Sequence, residues 1–193
     1  MKILNVKIQS ICPMLMHSDR TANPFDSFTK EIKKFTAKRK KTDEDLEQIA
    51  KLEWEAGLYY NSEKRNYYLP AALLFAMLFN SAKNFKQGPT LKKAVVIPND
   101  GTFVFSDDKL TPKQLYKEGY IDLRSVRVGT SKVMRCRPIF KEWSSEFQLF
   151  LDDDQLNLDD FNHIVTNAGK YIGIGDFRPQ YGRFEVINVT ESK

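Results

Sequence analysis

One apolar run, at residues 71–79, constrains the fold of this chain more than any other part of its sequence. It is the longest apolar stretch, yet it has only about half of the ~20 residues that a membrane-spanning helix needs. Pro70 stands directly before it, and proline is well tolerated at the start of a helix. The run therefore predicts a buried helix at the centre of a protein core.

Strand-like patterns lie on both sides of this helix. Apolar and polar residues alternate at 3–11 and again at 184–189, and a period of two predicts half-buried strands. Further strands are predicted at 95–97 and 103–105 as one hairpin, at 123–128 and 132–137 as a second hairpin, and at 146–151. A late helix is predicted to begin at Asp159 or Asp160 and to end near Ala168, where Gly169 stops it. His163 on this helix is interpreted as a packed or capping residue.

A helical pair is predicted between the first strand and the apolar helix. Phe28, Ile32 and Phe35 have the spacing of one helix face. Thr42 and Asp45 have the spacing of a capping box that begins a second helix. The turn between the two helices holds four cations, Lys38, Arg39, Lys40 and Lys41.

The order of these elements predicts the fold class. It is strand, helical insertion, helix, several strands, helix, glycine-rich turn and strand, which is typical of an α+β fold with mostly antiparallel pairing. We expect a single domain at 1–193 that contains a helical insertion at 24–57.

Composition excludes several classes of protein. Hydrophobic residues make up 41% of the chain and charged residues 28%, so wholesale disorder is excluded. Cys12 and Cys136 are too few for a disulfide framework, and with two histidines they form no recognisable zinc pattern. We therefore expect a reduced, cytoplasmic protein (in the host cytoplasm if a phage encodes it) that needs no cofactor, holds no metal and has no membrane partner.

Charge is segregated along the sequence. The 30 Lys and Arg residues exceed the 25 Asp and Glu residues by five, which is basic but too mild to prove a nucleic-acid partner. Residues 124–141 carry six basic side chains and no acidic one, whereas 152–160 carry five acidic side chains and no basic one. A folded chain with such blocks can present a basic stripe while its total charge is nearly balanced.

The segment at 171–186, between the last helix and the last strand, carries the strongest functional signal. Glycines permit close approach of a backbone to a ligand, arginines contact phosphates, and aromatic rings stack on bases. The residues with these properties are Gly173, Gly175, Phe177, Arg178, Tyr181, Gly182 and Arg183. The pattern equally fits a tight glycine-dependent corner with solvated arginines. We expect Gly182 to be structural, because it leads into the last strand, and Gly175 with Arg178 to be functional.

Three segments together resemble the CRISPR-associated RAMP superfamily, in particular its backbone subunits. Residues 173–186, GIGDFRPQYGRFEV, are similar to its C-terminal glycine-rich loop, and residues 68–77, YLPAALLFAM, are similar to the segment leading into its main helix. The third is the opening strand with residues 13–17, PMLMH. The matches fall in the family's order and cover about a quarter of the chain. Departures such as Ala71 and Ala72, where the family often has Gly-Ser, are typical of a free-standing relative, for instance a phage-encoded one.

This resemblance implies a ferredoxin-like or RRM-like sheet that holds single-stranded RNA or DNA along its backbone, often as a row of subunits assembled on the strand. The second hairpin independently interleaves cations with apolar residues, and a basic face on a strand pair suits a phosphate backbone. Its cations are Arg124, Arg127, Lys132, Arg135 and Arg137. The alternative is an edge hairpin whose charges only prevent aggregation, and the 38–41 turn is equally interpretable as a solvated helix junction.

Three functions stay open at this point. The first is a non-catalytic single-strand nucleic-acid binder with weak sequence preference. The second is a metal-independent endoribonuclease that uses His17, which follows the first strand, as general acid or base. The third is a protein-interaction subunit of a larger nucleoprotein complex, whose contact surface would be the charged helical pair at 28–54.

Overall fold

Strands and helices alternate in blocks along residues 1–192, the part of the chain that the computed structural model describes. The strands are β1 (Lys2–Ser10), β2 (Met14–Leu15), β3 (Tyr60–Asn61), β4 (Asn66–Leu69), β5 (Val95–Val96), β6 (Gly101–Thr102), β7 (Ile121–Val128), β8 (Ser131–Phe140), β9 (Ser144–Leu151) and β10 (Phe184–Glu191). The helices are α1 (Ser27–Thr36), α2 (Asp43–Ala56), α3 (Ala71–Lys83), α4 (Gly88–Ala94), α5 (Pro112–Lys117) and α6 (Leu158–Asn167). A 3-10 turn (Asp19–Ala22) precedes α1, and a π-helical turn (Ala168–Ile172) follows α6.

The main sheet places the first strand beside the last. Its order is β10-β1-β9-β5, and every pair is antiparallel. Leu4, Val6 and Ile8 of β1 are at most 1% exposed, because alternate side chains of a strand point to opposite faces and this face meets the helices. The alternation at both ends of the sequence therefore predicted these two strands correctly.

Six elements give the fold its class. In chain order they are β1, α3, β5, β9, α6 and β10, and this succession with the observed strand order is the ferredoxin-like βαββαβ arrangement. The helical pair α1–α2 is inserted after β1, and the β7–β8 hairpin is inserted between β5 and β9. The prediction of an α+β, ferredoxin-like antiparallel sheet with a helical insertion is confirmed.

The core lies between the main sheet and the helices α3 and α6. Leu74, Met77 and Leu78 of α3 and Phe161 and Ile164 of α6 are fully buried. The buried Ser81 hydroxyl donates to the Ile164 carbonyl at 2.6 Å, so the one hydroxyl between the two helices is satisfied. The apolar run thus forms the buried helix that the sequence predicts. Within residues 1–192, no helix is both long and apolar enough to cross a bilayer.

The helical insertion begins its second helix as predicted. The Asp45 backbone N–H donates to Thr42 Oγ1 at 3.3 Å, and the Thr42 N–H donates to Asp45 Oδ2 at 3.1 Å, which is a complete capping box. Trp54 near the other end of α2 is 1% exposed, and its indole Nε1 donates to the Tyr120 carbonyl at 2.7 Å. This buried tryptophan fixes α2 to the segment that enters β7.

The predicted hairpin of 95–97 with 103–105 is wrong. β5 pairs with β9, whereas β6 pairs with β4. The loop between them passes from one sheet to another, and its Asp100 Oδ1 accepts from the Ala71 N–H at 2.9 Å. That bond satisfies a free donor at the start of α3, which Pro70 cannot cap with its own side chain.

The late helix also differs from the prediction at both ends. Its N-cap is Asn157 and not Asp159 or Asp160, and the helical path continues through the π turn past Gly169 to Gly173, where φ is +73°. Gly169 serves packing, since a Cβ there would lie 2.2 Å from the Phe184 carbonyl oxygen. His163 is exposed and neither packs nor caps.

Candidate nucleic-acid interface

The glycine-rich segment folds back onto the loop that follows β1. The N–H of Asp176 donates to the Leu15 carbonyl, and the N–H of Gly182 donates to the Pro13 carbonyl, both at 2.8 Å. The Ile174 N–H donates to the Gly182 carbonyl at 2.9 Å and closes the segment on itself. These bonds hold its backbone in place, so that its exposed side chains project from a fixed base.

Two glycines of this segment are required by the protein's own backbone. Gly175 has φ +85° and Gly182 has φ +74°, and L-residues rarely adopt such values. A Cβ at Gly182 would lie 1.7 Å from the Ile174 oxygen, and a Cβ at Gly175 would lie 2.5 Å from the Leu15 oxygen. Gly182 therefore has the structural role that we expected. The expectation that Gly175 differs from Gly182 by contacting a ligand is corrected. The backbone that lies closest to Gly175 belongs to the protein itself.

Three of the predicted site residues form a cluster on the outside of this segment. The Arg124 Cζ of β7 lies 5.4 Å from the ring centroid of Phe177 and 4.9 Å from that of Tyr181, which is the range of cation–π contacts. Arg124 Nη2 donates to the Tyr181 hydroxyl at 2.7 Å and to the Asp122 carboxylate. The hydrogen bonds to Asp122 and then to Tyr181 raise the pKa of Arg124, so the guanidinium stays charged.

Phe177 is held in an unusual backbone conformation that exposes its ring. Its φ is +56°, a left-handed value that is uncommon for a bulky side chain and costs on the order of 1–3 kcal/mol. The Asp176 carboxylate accepts from the Phe177 N–H at 2.8 Å and supports this turn. The ring is 47% exposed, with Arg124 and Tyr181 behind it. A base can therefore stack on its free side.

A shallow groove of about 480 Å³ runs along this segment. Phe177 and Arg178 line it together with Tyr171 and Asn80. Tyr171 is 63% exposed. It was not among the predicted site residues, although it lies only two residues before Gly173. No sequence signal pointed to Asn80, because it reaches the groove from α3.

Arg183, which was expected to contact phosphate, is partly used inside the protein. Its Nε donates to the Pro179 carbonyl at 2.7 Å, and its N–H donates to the Cys12 sulfur at 3.2 Å. Arg183 thus supports the groove wall from behind, and Arg178 is the exposed cation of the segment. Gly173, the first predicted glycine, ends the π turn below the groove.

The β7–β8 hairpin is confirmed, with pairs from Ile121 opposite Pro138 to Val128 opposite Ser131. Near its tip Arg127 lies opposite Lys132, and both side chains are exposed. This pair forms a basic patch on the outer face of the hairpin.

The opposite face of the hairpin corrects the predicted basic stripe. Arg135 is ion-paired with Glu53 of α2, and Arg137 is buried with its Nε 2.9 Å from Asp176 Oδ2. Because α2 and the glycine-rich segment pack against this face, Arg137 is buried and Arg135, although 40% exposed, is held in an ion pair. The two arginines therefore do not form an open basic stripe.

The turn at 38–41 lies at the opposite end of α2 from Glu53, the residue that pairs with Arg135. Its side chains are exposed, and Lys38 Nζ contacts Asp45 Oδ1 at 2.6 Å. The turn precedes the first residue of α2, whereas Glu53 lies near the last; at 1.5 Å per helical residue the two are about 15 Å apart. The contribution of Lys38, Arg39, Lys40 and Lys41 to binding stays a prediction.

The outer face of the main sheet is polar over the middle of β1 and β9 and apolar at one end. Asn5 and Lys7 of β1 point to this face, opposite Gln148 and Glu146 of β9, and Lys7 Nζ is ion-paired with Glu146 at 2.7 Å. RRM sheets stack bases on aromatic side chains at such positions. Phe150 of β9 also points to this face, opposite Ile3 of β1 and Val96 of β5. The sheet therefore offers one aromatic ring, and binding along the sheet stays an expectation from the resemblance.

His17 lies at a cavity that it shares with Arg135 and Arg137. Burial lowers the pKa of His17; Asp176 opposes this effect, and the two arginines reinforce it. The imidazole is therefore neutral at pH 7. Within residues 1–192, no group of three or more His, Cys, Asp or Glu side chains is placed to hold a metal ion.

Fold and site together define a class of protein, namely a ferredoxin-like domain whose last helix–strand connection is a glycine-rich loop that presents aromatic rings and a cation. The whole chain is similar in fold to a chain in the cryo-EM structure of the Type III-B Cmr-beta bound to cognate target RNA, with a TM-score of 0.55 and 13% identity. This chain covers 61% of that chain, and is itself covered completely. No protein-family model and no curated protein matches the sequence. The likeness shows the fold alone, and membership of the CRISPR-associated RAMP superfamily and a phage origin stay predictions.

Proposed function

We propose that this protein binds single-stranded nucleic acid, RNA in the first place, along the groove of the glycine-rich segment. The observation that carries the proposal is the Phe177 ring, which is exposed in a left-handed backbone conformation and backed by the Arg124 guanidinium. Strained, exposed aromatic residues are rarely kept for stability alone. Tyr171 offers a second exposed ring in the same groove.

The cations around the groove suit phosphates more than bases. Arg178 lies in the groove, and the Arg127–Lys132 patch lies on the hairpin that also carries Arg124. Arg124 and Arg127 are three residues apart on β7, about 10 Å along the strand, and their side chains point to opposite faces of the hairpin. We therefore propose that the bound strand passes around the edge of the hairpin to reach both. Stacking and phosphate contacts are tolerant of sequence, so we propose weak sequence preference.

RNA is favoured over DNA by the structural neighbour, which was solved in a complex bound to target RNA. The same likeness supports a role as a subunit of a nucleoprotein complex. Assembly of several copies along one strand is part of the proposal and predicts that binding is cooperative on long oligonucleotides.

We rank binding above catalysis by His17. A general acid–base cleavage of RNA uses two groups that exchange protons near neutral pH. The sequence has two histidines, and the second, His163, is exposed on α6, away from the cavity of His17. Cleavage of RNA in EDTA that is lost in His17→Ala would place the ribonuclease function first.

A binding assay with one stacking variant tests the proposal. Phe177→Ala is expected to weaken binding of a fluorescent single-stranded RNA by about tenfold, since one base–aromatic stack contributes roughly 1–3 kcal/mol. Phe25→Ala is the matched control, because Phe25 is 82% exposed and lies outside the groove. Equal affinity of the parent and Phe177→Ala, with both folded by circular dichroism, would contradict the proposed groove.

A further inference from the structure

A second cavity lies on the other side of Asp176, between α1, the 3-10 turn, α2 and β8. Its volume is about 360 Å³. The charged and titratable side chains on its wall are His17, Lys33, Glu53, Arg135, Cys136 and Arg137. The helical insertion therefore closes over one face of the β7–β8 hairpin without filling the space beneath it.

Arg137 is the buried cation of this wall, and it is incompletely bonded. Its side chain is only 9% exposed. Asp176 Oδ2 lies 2.9 Å from its Nε, yet neither Nε nor Nη1 has an acceptor in hydrogen-bond geometry among residues 1–192. Buried N–H groups are normally satisfied, and a buried charge without full hydrogen bonding is costly. Asp122, the residue opposite Arg137 on β7, likewise has a buried Oδ2 without a donor, so the charged groups at this wall are incompletely hydrogen-bonded.

The charges around the cavity leave an excess of positive charge. Glu53 is paired with Arg135, and Asp176 lies against Arg137. Lys33 has no ion-pair partner among the described residues and lies on the cavity wall from α1. Lys33 and the side chain of Arg137 thus both lie on the wall of a cavity around which cations outnumber carboxylates, while the unbonded Nε and Nη1 atoms of Arg137 are enclosed by protein.

We propose that this cavity binds a phosphate group, with the Arg137 guanidinium and the Lys33 ammonium as its main contacts. A phosphate presents several strong acceptor oxygens, and arginine and lysine are the side chains that bind it most favourably. The cavity is larger than the group itself, which leaves room for the sugar or chain that carries it. The site stands on the fold and on Arg137, and is separate from the groove of the proposed function.

Proton NMR of the His17 ring in the full chain tests the site with inorganic phosphate as the probe. Without phosphate the pKa of His17 is lowered by burial and by Arg137 and Arg135, against Asp176 and Glu53. A bound anion stabilises the imidazolium, so phosphate is expected to raise the pKa of His17 in a saturable way. Equal ionic strength of potassium chloride is the reference for screening.

Neighbouring lysines of one helix give a matched pair of variants. Lys33→Ala removes a cavity cation and is expected to weaken phosphate binding by about tenfold, the effect of one charge-assisted hydrogen bond. Lys34→Ala removes an equal charge from an exposed position of α1 that is outside the cavity wall, and should bind phosphate like the parent. Arg137→Lys keeps the positive charge but loses the planar guanidinium, and it is expected to bind phosphate more weakly. Circular dichroism checks that this variant is folded.

Oligonucleotides then identify the source of the phosphate. A 5′-phosphorylated strand that shifts the His17 signal more than its 5′-hydroxyl counterpart indicates a terminal phosphate, and equal shifts indicate an internal one. A shift by inorganic phosphate alone indicates the free ion. The proposal is overturned if no probe shifts His17 beyond potassium chloride, or if Lys33→Ala and Lys34→Ala respond alike. Because the signal comes from His17, which lines the cavity and not the groove, this result is independent of the strand-binding assay.

Discussion

A Gly182→Ala substitution should destabilise this protein far more than the same substitution at Gly129. Both glycines have positive φ, +74° and +60°, and alanine in that conformation costs about 1 kcal/mol at either position. At Gly129 nothing lies within 4 Å of the added Cβ, whereas at Gly182 the Ile174 oxygen would lie 1.7 Å away. The segment must then move and lose its bonds from Gly182 N to Pro13 and from Ile174 N to Gly182, worth about 1 kcal/mol each.

The expected losses are therefore about 3 kcal/mol for Gly182→Ala and about 1 kcal/mol for Gly129→Ala. Urea unfolding followed by the fluorescence of Trp54 and Trp143, which are both buried, measures the difference as a shift in midpoint at constant slope. Equal losses of unfolding free energy in the two variants would refute the reasoning. They would show that the positive φ accounts for the whole loss and that the close contact between the added Cβ and the Ile174 oxygen contributes nothing.

Three further predictions concern charge, thiol reactivity and capping. The double variant Arg127→Ala with Lys132→Ala should weaken RNA binding more than Arg39→Ala with Lys40→Ala, which removes equal charge. If an RNA titration gives the reverse order, the RNA binds along the helical insertion. Burial, with Glu53 and Asp122, raises the pKa of Cys136 to about 11, so its thiolate fraction at pH 8 is about one in a thousand. A disulfide reagent should then modify native Cys136 only as the pH rises toward 11, and rapid labelling at pH 8 would show an open site. Thr42→Ala should lower the free energy of unfolding by about 1 kcal/mol, and no loss in a urea titration would show that the capping box is not formed.

Local patterns in the sequence predicted the parts of the fold that local physics decides. The capping box of Thr42 and Asp45 and the hairpin around Gly129 are set by residues within a few positions of one another. The strands β1 and β10 were predicted because one of their faces is buried and alternation follows from that. Their pairing with each other was implied only by the family resemblance, since it joins the two ends of the chain.

Long-range partners explain what the sequence did not predict. Val95 and Val96 pair with a strand that begins nearly fifty residues later, so adjacency in sequence suggested the wrong hairpin. Arg135 was predicted to face phosphate because nothing in its neighbourhood shows that Glu53 of α2 lies against it. Gly175 was assigned to a ligand because the pattern of glycines does not reveal that Leu15 occupies the space above it.

The salt dependence of single-strand binding tests the central claim most directly. If the groove and the hairpin patch contact four to six phosphates, log K should fall against log salt with a slope of about −3 to −4, from roughly −0.7 per phosphate. Arg178→Ala should reduce the steepness of that slope by about 0.7 if the exposed Arg178 in the groove contacts one phosphate. A flat response of the parent protein, or an unchanged slope in Arg178→Ala, would contradict the account.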